Sequence, residues 1–484
     1  MVNTIDGDKA DLYIDGRWVS TGDRSERRSP SDRDDVIGRF AMAEAAHLDE
    51  AVSAAHAAAP GWRTASPQRR ADLLEGVAAT IAAEADRLAT LLAREEGKAI
   101  GDARAEVIRA SQLFRFFSGE ALRVTGDLQD SVRPGVEVGT RYEPVGVVGI
   151  ISPWNFPIAI PTWKAAPALA FGNTVVLKPA EIVSGMALAL AEILDRVGFP
   201  PGVFNVVTGS GSVVGDALVK HPGIDAVTFT GSQVVGRRVA QGATDRLARV
   251  QLEMGGKNAL VVLADADLDI AVDCAVNGAY YQTGQRCTAS SRIVVEDAVH
   301  DEFVARMAEA MRREVVGNAL DTATTIGPVV SQSQLDIDLG YLDLARGSAG
   351  VEVIGGELLE RPTDGHFLSP ALVVGGDAQA AFNREEIFGP VAGVIRVGDY
   401  EEALAVTNDS EFGLVSGICT TSLSHATDFQ RRADTGMVMV NLPTAGVDPH
   451  VSFGGRKGSS FGPREQGTAA RQFFTQIKTS YVRP

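Results

Sequence analysis

The sequence predicts an α/β chain of two doubly wound halves with a small third sheet beside them. Three observations predict it. From residue 145 to about 262, short apolar runs alternate with helical patterns: "VGVVGIIS", "IPTWKAAPALAFGN", "TVVLKP", "GMALALAEILDRVGFP", "VFNVVTG", "VVGDALVKHP", "AVTFTGS", "QVVGRRVAQGA", "RVQLEMGG", "NALVVL". A second alternation fills roughly 265–450. Two strand-like stretches, 123–142 and the C-terminal "RQFFTQIKTSYV", belong to neither.

Each element has a local reason. Ala-rich 41–110 carries apolar residues at helical spacing, in "DEAVSAAHAAAPGW", then 67–97, then "AIGDARAEVIRASQLFRFFSGEAL", with Pro60, Pro67 and Gly97 as punctuation. The strands of 145–262 are apolar throughout, as a parallel sheet covered on both faces requires. Short Gly- or Pro-bearing links between them give a doubly wound, nucleotide-binding pattern. In the second region "AVDCAVNGAYY", "HDEFVARMAEAMRREVV" and "YEEALAVTND" read as helices. "SRIVVED", "PALVVGG", "PVAGVIRV" and "GMVMVN" read as strands. The two remaining stretches can share one small sheet, and an exposed edge invites pairing with another subunit. The division expected is 1–122 with 143–254 for the nucleotide-binding domain, 255–464 for a second α/β domain, and 123–142 with 465–484 for the extra strands.

Composition narrows the function. At 484 residues the chain is too long for one ordinary core. With 45 Lys plus Arg against 62 Asp plus Glu, the net charge of −17 argues against a nucleic-acid or anionic-membrane partner. An anionic small substrate stays open, because one buried arginine can hold a carboxylate. "MVNTIDGDKADLYIDG" has no basic stretch before an apolar core, and no apolar run approaches the ~18–20 residues of a membrane span. A cytoplasmic location is expected. Cys274, Cys287 and Cys419 are an odd set without C-x-x-C spacing, so neither a disulfide framework nor a metal site is expected.

Candidate chemistry sits at strand ends. Cys287, in "YYQTGQRCTASSR", lies among small polar residues and is either a packed thiol or a nucleophile. "FTGSQVVGRR" offers Gly231, Ser232 and Gly236 where a strand meets a helix, either a phosphate cradle or a tight turn. Lys178 and Glu181 close "TVVLKPAE", where ribose hydroxyls or solvent could take them; a carboxylate there disfavours a 2′-phosphate. Asn155 in "PWNFP" can donate to an oxyanion or satisfy its own loop. Glu253 in "LEMGGK" suits a general base if buried, and is a solvated strand end otherwise. Glu386 and Phe388 in "EEIFGP" can hold a second ribose and a flat ring, or form a turn with an aromatic anchor.

PWNFP, TVVLKPAE, FTGS, LEMGGK, GQRC and EEIFGP, in that order, resemble the NAD(P)-dependent aldehyde dehydrogenase superfamily from about residue 11 to the C-terminus. The resemblance implies a Rossmann-like nucleotide-binding domain, an α/β catalytic domain and a small β oligomerisation domain, in a homodimer or homotetramer. It implies Cys287 as nucleophile, Asn155 with the Cys287 N–H as oxyanion hole, and Glu253 as base for water. It implies Lys178 and Glu181 on the adenosine ribose and Ser232 on the pyrophosphate. Glu386 is implied on the nicotinamide ribose, with Phe388 beside the ring. NAD is the expected cofactor, with NADP as the alternative. The stretch 441–482 with "GQRCTASSR" looks most like bacterial α-ketoglutarate semialdehyde dehydrogenases. That implies a carboxylated semialdehyde substrate, with succinate or glutarate semialdehyde, or a broad aldehyde range, as alternatives. Phe156, Trp163 and Phe453 match positions lining the family's aldehyde tunnel. Arg286 is the nearest cation in sequence for the substrate's carboxylate, with a structural salt bridge as its other role. A coenzyme-A-acylating relative generally lacks the glutamate at the Glu253 position, and a structural protein has no need of the whole set.

Overall fold

The computed structural model describes residues 7–124 and 126–484. Residues 1–6, the start of the N-terminal stretch read above, and residue 125, within 123–142, lie outside the described residues. The first sheet is centred on five parallel strands, in the spatial order Phe204–Val206, Thr174–Lys178, Val147–Ile151, Ala226–Gly231, Arg249–Met254. The chain starts in the middle strand, winds outward to one side, then returns to wind outward on the other. The strand order therefore reverses beside Val147–Ile151, and a crevice opens at the C-terminal ends of that strand and Ala226–Gly231. The interior residues of these strands are buried almost throughout, which accounts for their continuous apolar runs.

The second sheet runs Val351–Gly355, Ala371–Gly375, Val391–Val397, Arg292–Glu296, Ala259–Val262, Val415–Cys419, Met437–Val440, parallel except for its first, antiparallel edge. A third, antiparallel sheet joins Thr475–Val482, Glu137–Pro144 and Leu128–Asp130. The two stretches left over in the sequence thus meet in space.

Several boundaries differ from the sequence expectation. Ser460–Phe461, inside 255–464, pairs antiparallel with Arg249–Met254 and joins the first sheet. "RQFF" is helical, not extended: Arg471–Phe474 turns so that Phe473 and Phe474 enter the core of the first domain, and the strand begins only at Thr475. The helical run 67–97 is two helices, Pro67–Ala83 and Ala85–Glu96, broken at Glu84 (φ −102°, ψ 18°), whose carboxylate binds Arg87 and Arg196. Pro60 does not end its helix. It lies inside Ala45–Thr64, within the last turn and a half, where few downstream residues depend on the lost N–H bond. Pro67 and Gly97 act as expected, the first at the helix start behind Ser66 and the second as a left-handed cap at φ +92°.

Candidate active site

Cys287 follows the helix Leu268–Tyr280 through a backbone in an unusual state. Gln282, Thr283 and Gly284 have φ of 56°, 60° and 65°, three successive left-handed residues. For Gln282 and Thr283 this costs on the order of 1–3 kcal/mol each and persists only under restraint. The restraints are visible. Thr283 Oγ1 donates to the Gly327 carbonyl at 3.1 Å, and Gln285 Oε1 accepts the Val330 N–H at 2.9 Å. Gly284 must be glycine on space as well, since a Cβ would overlap the Gly389 carbonyl. The turn holds Cys287 half-buried on the walls of two cavities.

One cavity, of about 260 Å³, lies at the sheet's crevice. Its walls include Asn155, Ser232, Glu386 and Phe388 from the sequence expectation, with Trp154 and Gln334 added. Trp154 and Phe388 meet edge to face at 5.3 Å. Glu386 Oε1 accepts the Gly256 N–H at 2.9 Å, while Oε2 has no hydrogen-bond partner among the described residues. Burial pushes this carboxyl up to about 7. A Cβ at Gly255 would collide with it, so the glycine pair of "LEMGGK" exists partly to admit Glu386. Gln334 Nε2 pins the Glu386 turn by donating to the Ile387 carbonyl at 2.8 Å and to Asp338 at 2.9 Å. Ser232 caps the helix Gln233–Thr244, its Oγ accepting from Val235 N.

A further groove of about 470 Å³, lined by Gly211, Ser212, Asp216, Val235 and Arg238, continues along the same side of the sheet. Lys178 ends its strand 4% exposed, with its ammonium unbonded among the described residues and drawn down to about 8 by burial. Glu181 Oε1 accepts from Ser25 Oγ at 3.0 Å. A dinucleotide fits these parts: orphaned carboxyl and ammonium groups for sugar hydroxyls, a helix N-terminus for phosphate, and an aromatic wall for a flat ring.

The other cavity, of about 400 Å³, is walled by Phe156, Trp163 and Phe453, as expected, and by one face of the helix Ile100–Ala121. Trp163 and Phe453 lie 5.4 Å apart. Asp102, Glu106, Arg109 and Gln112 recur on that helix at spacings of three and four, which puts them on one face.

Asn155 Nδ2 donates to the Gln285 carbonyl at 2.9 Å, tying the two loops together; the amide keeps a second N–H. Its backbone carbonyl accepts from Lys98 Nζ at 2.7 Å. Lys98 also pairs with Glu106 at 2.6 Å, both side chains 1% exposed, and stands 3.9 Å over the Phe156 ring. Glu106 Oε1 accepts the N–H groups of Ile158 and Ala159, each at 3.1 Å. One buried ion pair therefore clamps both ends of the Asn155 loop. Sequence reading missed it, because a lysine and a glutamate eight residues apart around a helix start read as surface.

Glu253 is buried in the strand Arg249–Met254, directly opposite Ser460, whose Oγ donates to Glu253 Oε2 at 2.5 Å. Burial, then the neighbouring Glu465 carboxyl, raises its pKa well above the carboxylate range. Lys164 pairs with Glu465 and donates to Thr228 at 2.8 Å beside it. In this position Glu253 walls neither cavity.

Arg286 corrects the salt-bridge expectation. Among the described residues it forms no salt bridge: it lines the second cavity, its Nη2 donates to the carbonyls of Asn277 and Gly278, and its Nε is sealed without a partner. Nor does it make the Cys287 thiol acidic. Burial, then the carboxyls of Glu386, Glu253 and Glu465, push that thiol up to about 12. Cys274 and Cys419 are buried in the core of the second domain.

A switch-point crevice in one α/β domain, meeting a thiol carried by a second, defines a nucleotide-dependent enzyme with separate cofactor and substrate chambers. Residues 18–480 match the model of the aldehyde dehydrogenase family. The alpha-ketoglutaric semialdehyde dehydrogenase of Bacillus subtilis (strain 168) is 40% identical over 476 residues, 98% of each chain. The alpha-ketoglutarate semialdehyde dehydrogenase of Haloferax volcanii is 42% identical over 479 residues, covering 98% of this chain and 99% of its own. The crystal structure of an NAD-dependent aldehyde dehydrogenase from Sinorhizobium meliloti superposes with a TM-score of 0.95 at 35% identity, covering 98% of this chain and 94% of that one. The chain belongs to the aldehyde dehydrogenase family of NAD(P)-dependent oxidoreductases, with the family's Rossmann-like, catalytic and oligomerisation domains.

Proposed function

We propose that this enzyme oxidises a short carboxylated semialdehyde, α-ketoglutarate semialdehyde foremost, to the acid. In the same proposal NAD is preferred to NADP, and the enzyme works as a cytoplasmic homodimer or homotetramer. The chemistry rests on one observation above all: Cys287 stands on the wall shared by the two chambers. A carbon bonded to its sulfur can face an aldehyde chamber on one side and a nicotinamide chamber on the other. The substrate rests on the similarity to two relatives named for that semialdehyde.

The Cys287 sulfur gives up its proton to water in the chamber and adds to the aldehyde carbon. The carbonyl oxygen, now negative, takes the free Asn155 Nδ2–H and the Cys287 backbone N–H. Lys178, Glu181, Ser232, Glu386 and Phe388 would hold NAD(P)⁺, which would supply the acceptor for the hydride lost by the carbon bonded to Cys287; that carbon is then a thioester. Glu253 then turns from Ser460 and takes a proton from water. The hydroxide adds to the thioester carbon, and the carboxylic acid departs from the regenerated sulfur. A carboxylate at Glu181 repels a 2′-phosphate, which favours NAD. A steady-state panel of aldehydes with both cofactors tests the proposal. Succinate and α-ketoglutarate semialdehydes should show a higher kcat/KM than butanal or pentanal, and NAD a higher kcat/KM than NADP. Equal or better values for hexanal or benzaldehyde would remove the substrate assignment and leave the family chemistry standing.

A further inference from the structure

A carboxylated aldehyde leaves its distal charge inside the aldehyde chamber, and a chamber built for it must offer a cation with free hydrogen-bond donors. Arg286, closest to Cys287 in sequence, also lines this chamber, but its Nη2 serves two backbone carbonyls and its Nε is sealed, which leaves Nη1 alone to meet a ligand and no fork for a carboxylate. Lys98 is consumed by Glu106 and the Asn155 carbonyl.

Arg109 keeps more of its fork available. It projects from the helix Ile100–Ala121 onto the chamber wall that also contains Cys287. Its Nη1 donates to the Val447 carbonyl and its Nη2 to Gln466 Oε1 at 3.0 Å, both neutral acceptors. Those bonds fix the fork while using two of its five N–H groups. Among the described residues no carboxylate lies within 4.0 Å of it, whereas most arginines of this chain have one. The charges facing it are Asp448, exposed on the chamber rim, and Glu106, whose oxygens are taken by Lys98 and the 158–159 backbone. Burying a guanidinium without an ion partner is costly, and an arriving carboxylate offsets that cost. The rest of the wall, Phe156, Trp163 and Phe453, is apolar and suits the carbon chain between aldehyde and acid.

We infer that Arg109 is the seat of the substrate's distal carboxylate and so the residue that selects carboxylated over uncharged aldehydes. This rests on the proposed substrate class and adds the residue that enforces it. The test measures a ratio: kcat/KM for succinate semialdehyde divided by kcat/KM for butanal, in the wild type, Arg109→Met and Arg109→Lys. The ratio should fall roughly tenfold to a hundredfold in Arg109→Met, the range of a charge-assisted hydrogen bond. Arg109→Lys, which keeps the charge and loses the fork, should fall between. Most of the change should appear in KM for the semialdehyde. A ratio unchanged in both variants, even with both activities lowered, overturns the assignment.

Butyrate, tested as a competitive inhibitor of pentanal oxidation, separates the two claims. Should the wild type show no preference for carboxylated aldehydes, the substrate class fails. Weaker butyrate inhibition in Arg109→Lys than in wild type would still identify Arg109 as a carboxylate seat. Equal inhibition in the two would reject Arg109 itself.

Discussion

As the proposed nucleophile, Cys287 has to become a thiolate in surroundings that oppose it. Its thiol is pushed up to about 12 by burial and three carboxyls, so the neutral form dominates near pH 7. Without cofactor, iodoacetamide should modify Cys287 slowly, at a rate rising about tenfold per pH unit from pH 7 to 10, because only the thiolate reacts. A plateau by pH 8 would show the thiol to be far more acidic. Bound as proposed, oxidised NAD would bring a positive ring to the Glu386 side of the chamber and should accelerate the same reaction at fixed pH. Glu253 carries the opposite sign of constraint. A raised carboxyl pKa means that its basic form is lost as pH falls, earlier than for an ordinary glutamate. The acid limb of the kcat profile should therefore lie above the ordinary carboxylate range. Glu253→Gln should remove that limb and give a burst of NADH followed by slow turnover. Loss of the burst itself would assign Glu253 another role. These residues were legible in sequence because each sits in a short motif, Glu253 near a strand end and Cys287 in a glycine-bearing turn after a helix. Arg109 was not: a charged residue in an Ala-rich helix looks solvated until the 447 loop folds over it.

The elements that carry the chemistry are positioned by groups remote from it in sequence. Lys98 precedes one helix, Glu106 lies in its second turn, and together they hold the entry to another, with the Asn155 loop between them. Removing one member of a buried pair costs about 3–5 kcal/mol, since the other charge is left without a partner. Lys98→Met should lose stability on that scale in urea denaturation, and its kcat should fall because the Asn155 carbonyl is released. Adding Glu106→Gln to Lys98→Met should restore part of the stability, as it removes the stranded charge and keeps an oxygen for Ile158 and Ala159. A double variant no more stable than Lys98→Met alone would mean that the ion pair is not what holds the loop. Helices and strands were readable from apolar spacing, including the Pro67 start and the Gly97 stop. The break at Glu84 was not, because it depends on Arg196 arriving from another helix. The helical turn of "RQFF" was hidden for the same reason: two phenylalanines that fit an alternating strand are instead drawn together into the first domain's core.

Across the whole molecule, the third sheet poses a problem that a lone subunit does not solve. Thr475–Val482 is its outer strand, eight residues long, with Glu137–Pro144 on one side and no strand on the other among the described residues. Ile477, Tyr481 and Val482 on it are more than half exposed. A long unpaired edge that carries exposed apolar side chains is an association surface unless something covers it. The net charge of −17 per chain opposes association at long range, so contact between copies must draw on such apolar edges and should strengthen with salt. The occupant consistent with the proposed homodimer or homotetramer is the same sheet of another copy. Light scattering should then give a particle of two or four times 51.0 kDa. Ile477→Lys combined with Tyr481→Lys places two charges on that strand without touching either chamber. The mass should fall toward 51.0 kDa at micromolar concentration, most completely at low salt, where the introduced charges are least screened. An unchanged mass in the variant would move the subunit contact away from this sheet and leave its exposed edge unexplained.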